Sequence, residues 1–286
     1  MFHCFMNRAE ITGVLLAETP LHIGAGQESF QPMATQGSQL KNARNRPFIP
    51  GSSLKGVMRS YLESIQKKKC FMGGYCTRDL KDKKGRDGRK EHIQQQKAVY
   101  EDMLEALFAE DTAANSCMAC RLFGSQILAG KVKIADAALY NADSWPGFEF
   151  RTENAINRET HTTANGALHD IEVIPAGTEF SFRVIAENLT KIEAETLGNL
   201  LKSFSEGCIQ VGGLSRSGLG CVSLGSMAVK ITYRVQDYSL ETYSNNVEGD
   251  IAKSLTEILR DKQAFAKEPQ RQLVESQTNS QRVEGN

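Results

Sequence analysis

The pattern of apolar and polar residues predicts six regular elements in the core of the chain. Four runs have the apolar or alternating pattern of strands, at residues 9–17, 131–140, 178–188 and 221–235. Helices are expected over residues 52–66 and 190–206, and the second has one apolar face formed by Leu197, Leu200, Leu201 and Phe204. The sequence therefore predicts an α+β protein.

The order of these elements is strand, helix, strand, strand, helix, strand. This is the ferredoxin-like pattern, which RNA-recognition modules share. Because the pattern is common among unrelated proteins, it restricts the fold more than the function. A further helix is expected over residues 249–265, and the polar sequence from Glu268 onward is expected to be disordered.

Three other segments lack a clear period. Residues 27–46 are polar and predict a long loop, and residues 147–172 predict an extended loop or a hairpin. Residues 67–97 hold eleven Lys or Arg and four Asp or Glu, a local charge of about +7. We interpret this segment as a basic insertion between core elements, although a solvated, disordered loop has the same composition. A short amphipathic helix is expected to follow over residues 98–109.

The chain as a whole is not a polycation, because its 34 basic residues balance its 34 acidic ones. Nucleic-acid binding would therefore depend on local positive charge. No apolar run is long enough to cross a bilayer, and residues 1–8 lack the order of a signal peptide. We expect a cytoplasmic protein that does not contact membranes.

The start of the first predicted helix has the residues of a phosphate clamp. Pro50 and Gly51 form a turn signal, and Ser52 or Ser53 is expected to cap the backbone N–H groups that follow. An uncovered helix start favours anions. Lys55 and Arg59 are four residues apart and would share one helix face. The alternative is an ordinary capped surface helix.

A glycine-rich loop at residues 212–220 is the second candidate for backbone contact with a ligand. Its glycines, among them Gly213, allow close approach, and Arg216 at its centre can pair with a phosphate. The alternative is that the loop is only a tight connection between a helix and a strand, which would also need glycines. His22, beside a glycine turn, could stack on a base or bond a phosphate, although a lone histidine is more often structural.

The seven cysteines include two close pairs, Cys70 with Cys76 and Cys117 with Cys120. Four thiolates in two pairs predict a structural zinc site, with His92 as an alternative fourth ligand. Four unrelated thiols are the other interpretation, and a thioredoxin-like redox pair fits the context less well. A metal here would fix the basic insertion to the core.

Together these motifs resemble the RAMP superfamily of CRISPR proteins, and most of all the repeating backbone subunit of type III effector complexes. The resemblance covers residues 9–235 and is carried by Pro-Gly-Ser-Ser-Leu-Lys-Gly, His22-Ile23-Gly24, Cys-x-x-Cys-Arg-Leu-Phe-Gly-Ser and the glycine-rich loop. Residues 156–160, 166–168 and 172–178 resemble the thumb region of the family.

The resemblance implies a modified ferredoxin-like or RNA-recognition palm with a finger-like insertion and a β-hairpin thumb. One RAMP domain would span residues 1–248, with a zinc-binding insertion at 67–120 and the thumb at 147–172, and residues 249–286 would form a C-terminal helix and tail. Implied partners are CRISPR guide RNA, target RNA, and other RAMP and large subunits of an antiviral type III complex. Implied guide contacts are His22, Ser52, Ser53, Lys55, Arg59, Arg158, Gly213 and Arg216.

One position departs from the family pattern. Target-cleaving members carry an aspartate in the loop before the Pro-Gly-Ser-Ser motif, and the corresponding position here is near Thr35. Residues 29–46 contain no Asp or Glu, and the nearest carboxylate is Glu28. Cleavage needs an ionisable group near the scissile phosphate, so we expect a non-cleaving subunit. The alternatives are an endoribonuclease that uses His22, Glu28 or Asp170, and a zinc-stabilised protein-interaction module without RNA.

Overall fold

A five-stranded antiparallel sheet forms the centre of the protein. The computed structural model describes residues 5–24, 38–66, 116–125, 128–156, 163–235, 239–247, 250–261, 263 and 265. The strands within these ranges are β1 (Asn7–Ala17), β2 (Phe48–Ile49), β3 (Val132–Ile134), β4 (Ala137–Ala138), β5 (Glu149–Ile156), β6 (Thr163–Val173), β7 (Glu179–Glu187), β8 (Val222–Arg234) and β9 (Leu240–Asn246). The order in the main sheet is β3-β7-β1-β8-β9.

The central strand β1 is paired along nearly its whole length on both sides. Arg8 to Leu16 run against Glu187 to Glu179 of β7, and the opposite edge pairs with β8. Alternate residues of β1 face the core, where Ile11 and Leu15 are fully buried. The predicted strands at 9–17, 178–188 and 221–235 are confirmed by β1, β7 and β8.

The described residues form four α-helices, which are α1 (Gly51–Ile65), α2 (Met118–Phe123), α3 (Lys191–Ser205) and α4 (Ile251–Asp261). The apolar face predicted for α3 is buried, and Thr190 and Glu193 form a capping box at its start. Helix α4 lies so close to α3 that a Cβ on Gly198 would collide with the backbone of Ala252. None of the helices among the described residues is long and apolar enough to cross a bilayer.

The prediction of one strand over residues 131–140 is wrong. Strand β3 joins the edge of the main sheet, whereas β4 pairs with β2 in a separate two-stranded sheet. The turn between them holds Asp136, whose carboxylate accepts a hydrogen bond from the Gly51 N–H at 2.8 Å. This turn packs so closely on the start of α1 that a Cβ on Gly51 would collide with the Ile134 carbonyl oxygen.

Strands β5 and β6 form a separate two-stranded antiparallel hairpin that runs from the Glu149–Val173 pair to the Ile156–Thr163 pair. The hairpin alternative for residues 147–172 is therefore confirmed. The basic segment 67–97, the expected helix at 98–109 and the sequence after Glu268 lie outside the described residues, and the domain boundaries stay predictions.

Candidate nucleic-acid interface

The His22 turn (residues 20–24) and the glycine loop (residues 212–220) are in direct contact. The Gly213 N–H donates to the His22 carbonyl oxygen at 2.8 Å, and the Gly220 N–H donates to the Pro20 carbonyl oxygen at 3.0 Å. A Cβ on Gly212 would collide with the same His22 oxygen. The structure thus brings together two motifs that are about 190 residues apart in the sequence.

The glycine loop holds Arg216 on an exposed tip. Residues Ser215–Ser217 form one 3₁₀ turn, flanked by Leu214 at φ +58° and Gly218 at φ +83°. Arg216 is exposed, and it makes no hydrogen bond or ion pair with the part of the chain that the structure describes. Its guanidinium is therefore available to an external anion.

The root of the β5–β6 hairpin packs against both loops. Leu21 and Ile174 exchange two backbone hydrogen bonds at 2.9 and 2.8 Å. The hairpin root also contacts the glycine loop: Ile171 and Val173 of β6 form a small apolar cluster with Leu219, and Leu214 packs against this cluster. The hairpin root, the His22 turn and the glycine loop consequently form one structural unit, which we call the loop junction.

A polar cluster inside the loop junction was not predicted from the sequence. The Gln39 side chain, 3% exposed, bonds to the backbone of the His22 turn and of β6. Glu172, 7% exposed, accepts a 2.7 Å hydrogen bond from Lys41, whose ammonium group also lies 4.3 Å from the Phe148 ring centre. Gln39 and Glu172 are 133 positions apart, and no local pattern marks either residue.

The start of α1 differs from the prediction. Pro50 is the N-cap, and no side chain caps the helix from that position, so the expected capping by Ser52 or Ser53 is wrong. The two serines lie within the first turn, where Ser52 is exposed and Ser53 is half-buried. The first N–H group, that of Gly51, already donates to the Asp136 carboxylate. A phosphate at this helix start would therefore meet a carboxylate, and its favourable contacts would come from the serine hydroxyls and Lys55.

Lys55 and Arg59 have different surroundings although they share one helix face. Lys55 is half-buried and, among the described residues, has no ion-pair partner. The Arg59 side chain is only 15% exposed, and its guanidinium donates to Glu63 at 2.8 Å and to the Gly124 carbonyl oxygen at 2.6 Å. Arg59 thus joins α1 to the end of α2, and Lys55 is the better placed of the two for an external phosphate.

The Cys117-x-x-Cys120 pair lies at the start of α2, with Cys117 as the N-cap. Cys120 is buried, and the Arg59 guanidinium lies 3.5 Å from its sulfur. The described ranges contain no group of three or more metal-binding side chains.

Several predicted site residues lie outside the described ranges: the zinc ligands Cys70 and Cys76, the alternative ligand His92, and Glu28, Thr35 and Arg158. Asp170, the other catalytic candidate, lies on β6 and accepts a hydrogen bond from Thr152 at 2.5 Å.

The fold and the loop junction define an α+β protein with an exposed, arginine-tipped glycine loop beside a β-hairpin. The family model of the RAMP superfamily matches residues 14–223. The chain belongs to this superfamily.

Three relatives are named CRISPR system Cms endoribonuclease Csm3. The one from Methanocaldococcus jannaschii is 26% identical over 261 residues, covering 87% of this chain and 90% of the relative. The one from Mycobacterium tuberculosis is 29% identical over 189 residues, or 63% of this chain and 64% of the relative. The one from Methanothermobacter thermautotrophicus is 38% identical over 73 residues, or 25% and 29%.

Proposed function

We propose that this chain is a guide-RNA-binding backbone subunit of a type III CRISPR effector complex. The family membership and the names of the three relatives support this assignment. The observation that carries it is the loop junction, because the His22 turn, the glycine loop and the hairpin are the elements for which the family resemblance implies RNA contacts. The partners of this chain would be guide RNA, target RNA, and other RAMP and large subunits in the cytoplasm.

The strand order supports the finer description of the palm. The four core strands β1, β3, β7 and β8 are arranged as β3-β7-β1-β8, which is the 2-3-1-4 order of a split βαβ repeat. Strand β9 extends this sheet at one edge. We therefore propose a ferredoxin-like palm with one added strand, and we propose the β5–β6 hairpin as the thumb that shapes the guide–target duplex.

Phosphate contacts would supply most of the affinity in this proposal. Lys55 and Arg216 are cations without a described partner, and the hydroxyls of Ser52 and Ser53 add hydrogen bonds. The Gly213 N–H is already used by the His22 carbonyl oxygen, so Gly213 would contribute by allowing the RNA backbone to approach closely.

Charge reversal at Lys55 tests this proposal. We expect Lys55→Glu to weaken binding of a guide RNA by roughly tenfold at moderate salt, because it replaces an attraction to phosphate with a repulsion. Filter binding measures the dissociation constant. Lys191→Glu is the matched control, since Lys191 is an exposed helical lysine at the start of α3. A chain that copurifies with no RNA and binds none would instead favour a protein-interaction module.

A structural zinc ion held by Cys70, Cys76, Cys117 and Cys120 is a further part of the proposal. Cys117 and Cys120 support this part of the proposal, because they lie at the start of α2 with the C-x-x-C spacing that zinc sites use. Such an ion would supply a fixed link between the insertion and the core, and His92 is the alternative fourth ligand.

Metal content of the purified chain checks the zinc site. We expect about one zinc per chain by mass spectrometry, and loss of most of it in a Cys117→Ser, Cys120→Ser double variant. Cys208→Ser is the control, because Cys208 is an exposed thiol near the end of α3. Wild-type protein without zinc would refute this part of the proposal and leave the RNA-binding part standing.

The three relatives are named as endoribonucleases, so any catalysis by this chain would be RNA cleavage. We propose that this subunit itself does not cleave, because Thr35 stands near the position of the family aspartate. The assembled complex is expected to leave labelled target RNA intact at this subunit. Cleavage that disappears in Glu28→Ala would contradict this expectation and identify Glu28 as the acting carboxylate.

A further inference from the structure

The orientation of the Gln39 side-chain amide is fixed by three hydrogen bonds. Its Oε1 accepts from the Ile23 N–H at 2.8 Å, and its Nε2 donates to the carbonyl oxygens of Leu21 at 2.9 Å and Glu172 at 2.8 Å. Rotating the amide by 180° would place oxygen against two carbonyl oxygens and nitrogen against an N–H group. Both N–H bonds of Nε2 are therefore directed at these two carbonyl groups.

This amide determines which nitrogen of His22 carries the proton. The His22 Nδ1 lies 3.0 Å from the Glu172 carbonyl oxygen and 3.2 Å from Gln39 Nε2. Gln39 has no third N–H to donate, and a carbonyl oxygen only accepts. Nδ1 must then be the donor, N–H to O=C, and in the neutral ring Nε2 is left with a lone pair.

The Nε2 side of the ring is open to a ligand. Nε2 makes no hydrogen bond with a described residue, and Gly24 and Gly213 stand beside the ring. A Cβ on Gly24 would lie 3.5 Å from Nε2, and one on Gly213 would lie 3.5 Å from Cδ2. Both glycines are exposed, so the absence of side chains leaves room for a backbone-sized ligand to reach the acceptor.

We propose that His22 accepts a hydrogen bond from a ribose 2′-hydroxyl and so selects RNA over DNA. The inference depends on the proposed RNA-binding function and specifies the chemical group that is recognised. Phosphate and ring oxygens of a nucleic-acid backbone only accept hydrogen bonds, so they cannot pair with an unprotonated Nε2. The 2′-hydroxyl is the one donor along an RNA strand's sugar–phosphate chain, and DNA lacks it.

The test compares one guide RNA with its 2′-O-methyl form and with single-stranded DNA of the same sequence, all at pH 8. The variants are His22→Asn, which keeps an amide near the Nδ1 position and deletes Nε2, and His22→Gln, which returns an oxygen near the Nε2 position. We expect His22→Asn to weaken RNA binding about five- to tenfold and DNA binding less than twofold. His22→Gln should recover part of the loss.

The modified RNA keeps the inference testable even if His22→Asn folds poorly. Wild-type protein should bind the 2′-O-methyl RNA about five- to tenfold more weakly than unmodified RNA, because methylation removes the donor. Equal losses for RNA and DNA in His22→Asn, or equal wild-type affinity for all three strands, would overturn the inference and leave the proposed function intact. Failure of wild-type protein to bind any strand would overturn the proposed function itself.

Discussion

Replacing Glu193 with glutamine is expected to destabilise the chain by about 3–5 kcal/mol. The Glu193 carboxylate is fully buried and lies 2.5 Å from the ammonium group of Lys131, which is only 3% exposed. It also pairs with Arg121 of α2 at 2.8 Å. Glutamine has nearly the same shape but no charge, so it would leave Lys131 buried without a counter-ion.

Equilibrium unfolding in urea measures the free energy of unfolding. Glu195→Gln is the control on the same helix, because Glu195 and Lys191 form an exposed pair 4.0 Å apart, and it is expected to cost less than about 1 kcal/mol. Lys131→Met combined with Glu193→Gln should recover part of the loss, since it removes the unpaired cation. Equal stability of the Glu193→Gln and Glu195→Gln variants would show that this buried pair does not stabilise the fold.

Gly212→Val is expected to lower guide-RNA affinity by roughly ten- to a hundredfold, about 1.4–2.8 kcal/mol. Gly212 has φ +90°, which strains a β-branched residue, and any Cβ would collide with the His22 carbonyl oxygen. The valine would push the glycine loop away from the His22 turn and break the Gly213–His22 hydrogen bond. Arg216 would then be displaced from the loop junction.

Gly218→Val separates backbone strain from this collision. Gly218 lies in the same loop at φ +83°, but a Cβ there would meet nothing within 4 Å. The Gly218→Val substitution is expected to weaken RNA binding much less than Gly212→Val. Similar losses for the two variants would mean that loop conformation alone matters and that contact with the His22 turn does not.

The local periodicity of apolar residues was sufficient to predict the main strands and helices of the fold. The alternating strands β1, β7 and β8 and the apolar face of α3 follow directly from the sequence. Strand β9 was missed because its residues are mostly exposed, so its apolar and polar positions do not alternate. It is ordered by pairing with β8, which depends on the neighbouring strand and not on its own pattern.

The candidate site was only partly predictable for a similar reason. Gly212 and His22 were recognisable by residue type, because glycine loops and isolated histidines suggest ligand contact. The partners that fix the site were not, since Gln39 holds the His22 turn and Asp136 holds the start of α1 from positions distant in sequence. Arg59 stays a predicted RNA contact, and no local pattern marks the hydrogen bond that its guanidinium donates to the Gly124 carbonyl oxygen, 65 positions away.

The dependence of RNA affinity on salt concentration tests the central claim most directly. If Lys55 and Arg216 each neutralise a phosphate of a single-stranded guide, the slope of log affinity against log salt should become shallower by about 0.7 for Lys55→Met and again for Arg216→Met. Lys191→Met should leave the slope unchanged, as this lysine lies outside the proposed interface. A double variant with the wild-type slope would contradict the claim that these two cations hold the RNA backbone.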